Sequence, residues 1–463
     1  MKPVYFDISD IVDFAKQFNN VTGIQRVQQR VIAELAGKHP ENVFCTFLDP
    51  ITNKYFMVSA VGLFEKEQFN GGELLTKLRL AKRSATLTKA DMKSALRRYE
   101  HNKPFRSLKK AELYASAYLF PSRLKHFGIA KQPFARHIKP LHVTEISSVP
   151  HDGTLVFLGA NWHLRKVTEM GQSYRKAGGR VIQMIYDLIP YTDPKFCVEG
   201  LTLEFNRFLN GLPEYATDYM CISNWSRKDL TEFLLGKTGV LPHAITVPLA
   251  HEFSGFERNS DRNQPPSPYI QNLLGQQDFV ACVGTIEIRK NGANLLRAWR
   301  KLIAAKGDQT PKLVFAGKKG WHLEEFEQVF NSDPVLQQHV TFVNAPSDCD
   351  LAWIYNHARF SVFPSFTEGW GLPVGEAAWF GKYCLASNAT SVPEVCGDLI
   401  DYVNPSDVDD MTRQITFLLD TPEYIAQKEQ RIRTSPLRTW ATVAEDVFNF
   451  AQRVASENRL AAT

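Results

Sequence analysis

The second half of the chain alternates between apolar runs and helical periodicity. Helical patterns occupy residues 293–305, 350–357 and 373–380, and the last has Pro373 at its start and Gly381 just past its end. Short apolar runs typical of buried strands lie at 279–283, 312–316, 340–343, 360–363, 383–387 and 400–403. Strands that alternate with helices predict a parallel, doubly wound α/β sheet, whose ligands bind at the carboxyl ends of the strands.

The first half shows the same alternation of strand and helix patterns, with interruptions. A helix is predicted at 24–35, and strands are predicted at 4–7, 43–48, 155–158, 181–186 and 219–222. The polar, proline-rich stretch 254–268 breaks both periodicities and is typical of a linker. We predict two Rossmann-like domains that face a cleft: residues 1–253, a linker at 254–270 and residues 271–434, followed by a final segment, 435–463.

Composition narrows the class of protein. A length of 463 residues with 44% hydrophobic and 22% charged residues suits two globular domains. Seven scattered cysteines without a C-x-x-C pair are typical of reduced thiols, and no apolar stretch has the length of a signal peptide or membrane span. We therefore expect a cytoplasmic protein. The absence of G-x-G-x-x-G and P-loop motifs argues against a dehydrogenase and a P-loop enzyme.

The charge is distributed unevenly. Between Glu73 and Lys139 the sequence has 17 Lys and Arg and four acids, whereas the whole chain has a net charge of +5. Leu, Phe and Tyr are interleaved with these cations. We interpret this basic segment, about 73–139, as an insertion in the first domain that docks on an anionic membrane surface. A solvated helical insertion is the alternative, and nucleic acid is not the expected partner.

The densest chemical signal is the segment 363–376, FPSFTEGWGLPVGE. Glu368 lies in a glycine-rich turn, and Glu376 lies about one turn into the following helix. Gly369 and Gly371 allow backbone N–H groups to approach a ligand, and the helix start at Leu372 adds partial positive charge. Such a pocket suits hydroxyls and phosphates together, as in a sugar nucleotide. A purely structural use of these residues remains the alternative.

EGWGLPVGE resembles the E-x7-E hallmark of the family-four retaining glycosyltransferases. Residues 283–291 (VGTIEIRKN) resemble the donor-phosphate loop of that family, 391–398 its PE-x-x-G segment, and 22–26 (TGIQR) its N-terminal glycine loop. The resemblance is specific over about 279–405 and implies the GT-B fold, with the first domain on the acceptor side and 271–434 binding the nucleotide sugar. The last helical segment, 440–454, resembles the closing helix of the family, which implies that 435–463 returns to the first domain.

The resemblance also implies roles for individual residues. Arg289 and Lys290 would grip the donor diphosphate, Glu368 the hydroxyls of the transferred sugar and Glu376 the ribose; Arg289, Lys290 and Glu368 are the predicted catalytic residues. Cations fixed at this point stabilise the charge that develops on the leaving diphosphate. The other predicted donor-binding residues are Gly23, Gly284, Thr285, Gly369, Gly371 and Leu372. No metal or other cofactor is expected.

The family often has His-Asp at a strand end of the first domain, whereas this chain has Tyr186 and Asp187. Both are predicted to contact the sugar or the acceptor, and a helix N-cap is the alternative for Asp187. Asp348 and Asp350 match a D-x-D metal motif, but they precede a helical pattern and are better interpreted as capping residues. His251 is interpreted as an ordinary structural histidine.

The sequence therefore predicts a retaining glycosyltransferase, a hexosyltransferase of polysaccharide biosynthesis. Its donor is a nucleotide sugar, with GDP-mannose favoured by overall similarity to mannosyltransferases, and its acceptor is a glycan or a lipid-linked glycan. Two alternatives remain: a non-catalytic GT-B subunit of a polysaccharide-assembly complex, and a GT-B enzyme that cuts or epimerises a sugar nucleotide. We expect the enzyme in the cytoplasm, peripheral to the inner face of the plasma membrane through its basic segment.

Overall fold

The structure is a computed structural model that describes residues 1–16, 18, 21, 23–49, 52–65, 69–80, 95–96, 103–119, 138–259, 265–275 and 277–457. Two compact units divide the chain, Met1–Met170 and Gly171–Thr463. Most of the basic segment and part of the linker lie outside the described residues. The domain boundaries predicted from the sequence stay a prediction.

The described part of the first unit contains five strands. Its elements are β1 (Val4–Asp7), α1 (Ser9–Ala15), α2 (Ile24–Lys38), β2 (Val43–Asp49), β3 (Lys54–Ser59), α3 (Gly71–Lys77), α4 (Lys103–Leu119), β4 (Val143–Ile146) and β5 (Thr154–Phe157). The strand order is β4-β3-β2-β1-β5. Strand β1 is parallel to β2 and β5, whereas β3 is antiparallel to β2 and β4. All four residues of β1 are buried, so the core of this unit lies around it.

Helix α5 (Arg165–Lys176) spans the boundary between the units. The second unit begins with three parallel strands in the order β6-β7-β8. The elements of this part are β6 (Arg180–Ile185), α6 (Ile189–Thr192), α7 (Glu199–Tyr215), β7 (Asp218–Cys221), α8 (Asn224–Thr238), β8 (Ala244–Thr246) and α9 (Pro268–Leu273).

The remainder of the second unit is a six-stranded parallel sheet in the order β11-β10-β9-β12-β13-β14. Its elements are β9 (Phe279–Val283), α10 (Gly292–Lys306), β10 (Lys312–Ala316), α11 (Glu324–Asn331), α12 (Pro334–His339), β11 (Val340–Val343), α13 (Asp348–His357), β12 (Ser361–Phe363), α14 (Leu372–Trp379), β13 (Cys384–Ser387), α15 (Val392–Cys396), β14 (Tyr402–Val403), α16 (Val408–Asp420), α17 (Pro422–Thr434) and α18 (Trp440–Ser456). The predicted doubly wound parallel sheet is confirmed.

The strand order fixes where a ligand can bind in this sheet. Strands β10 and β11 extend from one side of β9, and β12 to β14 extend from the other. The direction of winding therefore reverses between β9 and β12, and the loops that follow these two strands diverge from a crevice at the carboxyl edge of the sheet. These are the loops 284–291 and 364–371, which carry most of the predicted site residues.

Helix α18 closes the fold of the second unit. Its apolar side is buried, and the helix contacts β6. At its start, the Trp440 backbone N–H donates to Glu252 Oε2 (2.8 Å) and the Trp440 indole donates to the Glu252 carbonyl (3.1 Å). The last helix therefore binds residues that precede the predicted linker. Among the described residues, no helix combines the length and apolarity that crossing a membrane requires.

Candidate functional site

The loop after β9 is shaped by two residues with positive φ. Gly284 has φ +138° and lies against the loop after β10, since a Cβ on Gly317 would be 1.9 Å from the Gly284 carbonyl oxygen. A short 3-10 turn, Ile288–Lys290, then ends at Asn291, which has φ +60°. The turn projects Arg289 and Lys290 from the carboxyl edge of the sheet.

Asn291 joins this loop to two others. Its buried side-chain amide donates to the carbonyls of Pro364 (3.0 Å) and Pro405 (2.7 Å). The Phe366 backbone N–H also donates to the Arg289 carbonyl (2.9 Å). Hydrogen bonds therefore join the loops after β9 and β12 at the basic pair and directly after it.

The two fastened loops bring three predicted residues into one ionic cluster. Lys290 Nζ lies 2.6 Å from Glu368 Oε1, and Arg289 Nη1 pairs with Glu368 Oε2. Arg289 also donates to the Thr367 carbonyl (3.0 Å) and pairs with Glu287 Oε1 (2.6 Å). The Glu368 side chain is only 8% exposed. The two predicted cations and the predicted carboxylate are thus in direct contact across 78 residues of sequence.

Burial and charge act in opposite directions on these groups. Burial alone would raise the pKa of Glu368, but Arg289 and Lys290 lower this pKa to about 2. Burial would lower the pKa of Arg289, but Glu368 and Glu287 raise it above its usual range. Glu368 is therefore a carboxylate and Arg289 a guanidinium at neutral pH.

The loop after β6 approaches the same cluster. Asp187 is partly buried and accepts a hydrogen bond from the Ile189 backbone N–H (3.0 Å). Burial raises the pKa of Asp187, and the neighbouring Arg289 opposes this rise. A Cβ on Gly369 would lie 2.4 Å from the Tyr186 carbonyl oxygen and 3.1 Å from Asp187 Oδ2. Gly369 therefore permits close contact between two protein loops.

Helix α14 begins directly after Gly371, whose φ is +125°, and Leu372 is its first residue. Glu376 lies at the start of its second turn, is buried, and accepts a hydrogen bond from the Tyr355 hydroxyl at 2.9 Å. The Glu368 carbonyl accepts from Ser391 Oγ at 2.6 Å. The predicted PE-x-x-G segment thus holds the backbone of the turn that carries Glu368.

A cavity of about 310 Å³, which includes space open to solvent, lies at the carboxyl ends of β9 and β12. Gly284, Thr285 and Lys290 are among the residues that line it, whereas Glu368 and Glu376 are not. Gly23, which precedes α2 with φ +51°, lies in the first unit, and its neighbour Thr22 lies outside the described residues. The binding roles predicted for all these residues stay predictions.

Phe196, which the sequence analysis did not select, contacts the loop after β12 and is itself held by Trp321. The Phe196 ring stacks on Phe366, with centroids 5.6 Å apart, and the Trp321 indole donates to the Phe196 carbonyl (2.8 Å). Other residues that sequence reasoning missed are Glu287, Asn291 and Tyr355. Glu287 and Asn291 flank the basic pair and are signalled by that position, whereas nothing in the local sequence marks Tyr355 or Phe196.

The residues set aside from the sequence have structural roles. Ser347 caps α13, and Asp350 completes the capping box by accepting from the Ser347 backbone N–H (3.0 Å), which confirms the capping interpretation for Asp350. His251 Nε2 donates to the Val395 carbonyl (2.7 Å), and its Nδ1 accepts from the Arg438 backbone N–H (3.0 Å). Within the described ranges, no group of three or more His, Cys, Asp or Glu could hold a metal ion.

A parallel sheet that is wound in both directions from a switch point defines the class of doubly wound α/β proteins. Solved structures refine this class. Anabaena HepE in complex with UDP matches with a TM-score of 0.54 and 12% identity, covering 98% of this chain and 100% of that one. Sucrose-phosphate synthase from Thermosynechococcus elongatus matches with a TM-score of 0.54 and 14% identity, covering 98% and 99%. The predicted GT-B fold is thereby confirmed.

The family model described as Glycosyl transferases group 1 matches residues 267–435, a segment of the second unit. O-antigen chain mannosyltransferase B of Escherichia coli is 28% identical over 236 residues, which cover 51% of this chain and 60% of that protein. Serotype-specific mannosyltransferase WbdA of Escherichia coli is 29% identical over 274 residues, covering 57% and 32%. This chain thus spans 60% or less of the length of these two relatives.

Proposed function

We propose that the protein is a retaining glycosyltransferase that transfers mannose from a nucleotide sugar to a glycan or lipid-linked acceptor in polysaccharide biosynthesis. The observation that carries this proposal is the contact of Arg289 and Lys290 with Glu368 at the switch point of the segment that the glycosyl transferases group 1 model matches. The two mannosyltransferase relatives support mannose as the sugar.

In the proposed reaction, the bond between the anomeric carbon and the diphosphate oxygen breaks while the acceptor oxygen attacks the same face of the sugar. The leaving phosphate helps to take the acceptor proton. Arg289 and Lys290 stabilise the charge on the diphosphate, and their partial burial strengthens that stabilisation because water screens it less. Glu368 binds sugar hydroxyls. Its ionisation at neutral pH suits this role, since both of its oxygens accept hydrogen bonds.

The remaining predicted residues complete the donor site. Gly284 and Thr285 would face the diphosphate from the lining of the cavity, and Glu376 would bind the ribose. Gly23, Gly369, Gly371 and Leu372 would form the backbone around the donor, and Tyr186 and Asp187 would contact the sugar or the acceptor. The transfer would need no metal ion, so activity is expected to persist in EDTA.

The first test is a thermal-shift and product-release screen with GDP-, UDP-, dTDP- and ADP-sugars. We expect one donor, GDP-mannose first, to raise the unfolding temperature of the wild type. Lys290→Ala is expected to lower kcat/KM roughly 10²–10³-fold, as for loss of one charge-stabilising group. Glu376→Ala is expected to abolish the donor-induced rise.

Lys319→Ala is the matched control for the charge change. Lys319 lies in the loop after β10, is 61% exposed and pairs with Glu327 at the surface (2.8 Å). This variant should respond to donor like the wild type. The proposal is wrong if none of the four donors changes the unfolding temperature or releases nucleotide.

The basic segment 73–139 would place this enzyme in the cytoplasm at an anionic membrane surface. In the described part of that segment, α4 exposes Arg106 and Lys110 to solvent. The purified protein is expected to co-sediment with vesicles that contain 30% phosphatidylglycerol at low salt, and to be released as salt screens the attraction. Equal binding to neutral vesicles would contradict membrane docking by charge.

A further inference from the structure

Tyr355 lies in the interior of α13 and is fully buried. Its ring stacks on Phe380, with centroids 5.7 Å apart and planes 21° apart, and meets Phe253 edge-on at 6.2 Å. The Tyr355 ring is therefore enclosed by aromatic side chains that leave it little freedom to rotate.

The hydroxyl of Tyr355 has a different use from the ring. A phenylalanine would supply the same apolar surface, whereas a buried hydroxyl costs free energy unless it finds a hydrogen-bond partner. The hydroxyl donates to Glu376 Oε2 at 2.9 Å. Hydrogen bonds to a carboxylate are stronger than those between neutral groups, so this contact restrains both partners.

The consequence for Glu376 is a fixed orientation. With Oε2 bound to a rigid phenol, the plane of the carboxylate is set and so is the direction of Oε1. A carboxylate that is already oriented binds a pair of vicinal hydroxyls with a smaller loss of side-chain freedom than a mobile one.

The backbone around Glu376 is restrained from the same side. A Cβ on Gly375 would lie 3.2 Å from the His251 Cα, and both nitrogens of the His251 ring are hydrogen-bonded. Phe253 lies two residues after His251, and its ring meets the Tyr355 ring edge-on. The segment from His251 to Phe253 therefore supports the helix and the phenol that hold Glu376.

We propose that Tyr355 is a positioning residue that orients the Glu376 carboxylate toward the ribose hydroxyls of the donor. This inference rests on the proposed function, in which Glu376 binds the ribose. Tyr355 acts through Glu376 and itself contacts neither the sugar nor the reacting bond. It therefore sets nucleotide affinity and the preference for an intact ribose, and leaves the chemical step unchanged.

The test measures calorimetric Kd values for GDP, 2′-deoxy-GDP and 3′-deoxy-GDP with the full chain; UDP, dTDP or ADP replaces GDP if the donor screen selects another base. Tyr355→Phe removes one oxygen and keeps the ring. We expect it to weaken GDP binding roughly tenfold, the effect of losing one charge-assisted hydrogen bond. Binding of the deoxy analogue that lacks the hydroxyl bound by Glu376 should weaken much less.

Tyr383→Phe is the matched control. Tyr383 is buried, and its hydroxyl donates to Asp401 Oδ2 at 2.6 Å, so this variant also deletes a bond from a buried phenol to a carboxylate. It should leave all three Kd values unchanged. A double-mutant cycle separates positioning from packing: in a Glu376→Ala background, Tyr355→Phe should have no further effect on GDP binding.

The outcomes separate the two proposals. If Tyr355→Phe binds GDP and its deoxy analogues like the wild type, or if its effect adds fully to that of Glu376→Ala, the positioning role is wrong while the proposed function stands. If the wild type binds none of the four nucleoside diphosphates, the proposed function itself fails. If Tyr355→Phe does not fold, Phe253→Leu is the second variant, because it removes the aromatic ring that meets the Tyr355 ring edge-on. It should show the same loss of ribose preference.

Discussion

Buried carboxylates occur in both units, and their partners decide whether they carry charge. Glu368 lies against Arg289 and Lys290, which hold its pKa at about 2. Asp7, at the end of β1, is also buried, but its side chain accepts hydrogen bonds from Ser9 and Thr46, which are neutral. Burial therefore raises the pKa of Asp7 from 3.8 to about 7. The same residue chemistry thus gives a permanent anion in one place and a titrating group in the other.

The Asp7 pKa predicts a pH-dependent stability. The pKa of Asp7 in the folded state lies above its ordinary value, so the folded state binds the proton more tightly than the unfolded state does. The proton bound to Asp7 therefore stabilises the fold below about pH 4, and this stabilisation is lost as pH rises through about 7. Asp7→Asn keeps the shape of the side chain and carries no charge. We expect it to be more stable than the wild type at pH 8, by roughly 1–3 kcal/mol, with a smaller difference at pH 5.

Thermal unfolding of both proteins at the two pH values measures this effect. Asp152→Asn is the control, because Asp152 is exposed and accepts from the Tyr5 hydroxyl. An Asp7→Asn difference that does not change between pH 5 and pH 8 would contradict the prediction.

At the residue scale, the sequence identified the ionic groups but not their contacts. The motif around Glu368 and the basic pair 289–290 could be selected because each has a characteristic local spacing. That both oxygens of Glu368 meet both cations depends on the packing of two loops 78 residues apart, which no local pattern encodes. Tyr355 was missed for the same reason, since its partner lies 21 residues away on another helix.

The loops after β6 and β12 lie so close together at Gly369 that a side chain would not fit between them. Gly369→Ala would place a methyl group 2.4 Å from the Tyr186 carbonyl oxygen. Because that neighbour is backbone, the two loops would have to separate. We expect a loss of roughly 1–3 kcal/mol in the free energy of unfolding, as for other overpacked sites, together with a clear fall in kcat/KM as Asp187 and Glu368 move apart.

Gly236→Ala provides the contrast. Gly236 lies within α8, and a Cβ there would have no neighbour within 4 Å. This variant is expected to be more stable by about 0.5–1 kcal/mol, because alanine favours helix interiors over glycine. Chemical denaturation of both variants checks the pair. Equal effects of the two substitutions would show that Gly369 is not constrained by its neighbours.

At the element scale, buried strands were predicted from the sequence more accurately than exposed strands. Strands β9, β10 and β11 have the predicted bounds, and all five residues of β9 are buried, so its apolar run is continuous. Strands β3 and β4 were not predicted. Both pair antiparallel and leave much of their length partly or fully exposed, so their sequences lack a continuous apolar run and resemble loops.

At the scale of the whole molecule, the last helix is expected to decide whether the second unit folds. Helix α18 buries eight apolar side chains: Trp440, Val443, Ala444, Val447, Phe448, Phe450, Ala451 and Val454. Burial of each large side chain contributes roughly 1.5–3 kcal/mol, so their sum is comparable to the net stability of a domain. A chain that ends at Thr439 is expected to lose cooperative unfolding, measured by calorimetry.

A chain that ends at Glu457 keeps the complete helix and is the control for truncation itself. It should unfold like the full chain. A soluble Thr439-terminated protein with a sharp transition would show that α18 is dispensable. The family resemblance implied a closing helix in this segment, but its hydrogen bonds to Glu252 required the structure.

Asn291 satisfies two separate demands with one side chain. Its φ of +60° favours glycine, asparagine or aspartate, and its contacts require two N–H donors for the carbonyls of Pro364 and Pro405. Glycine has no donor, aspartate would set its oxygens against carbonyl oxygens, and longer or branched residues resist this backbone. If all twenty residues were tested at position 291, asparagine is therefore the one expected to preserve the conformation of the loop that carries Arg289 and Lys290.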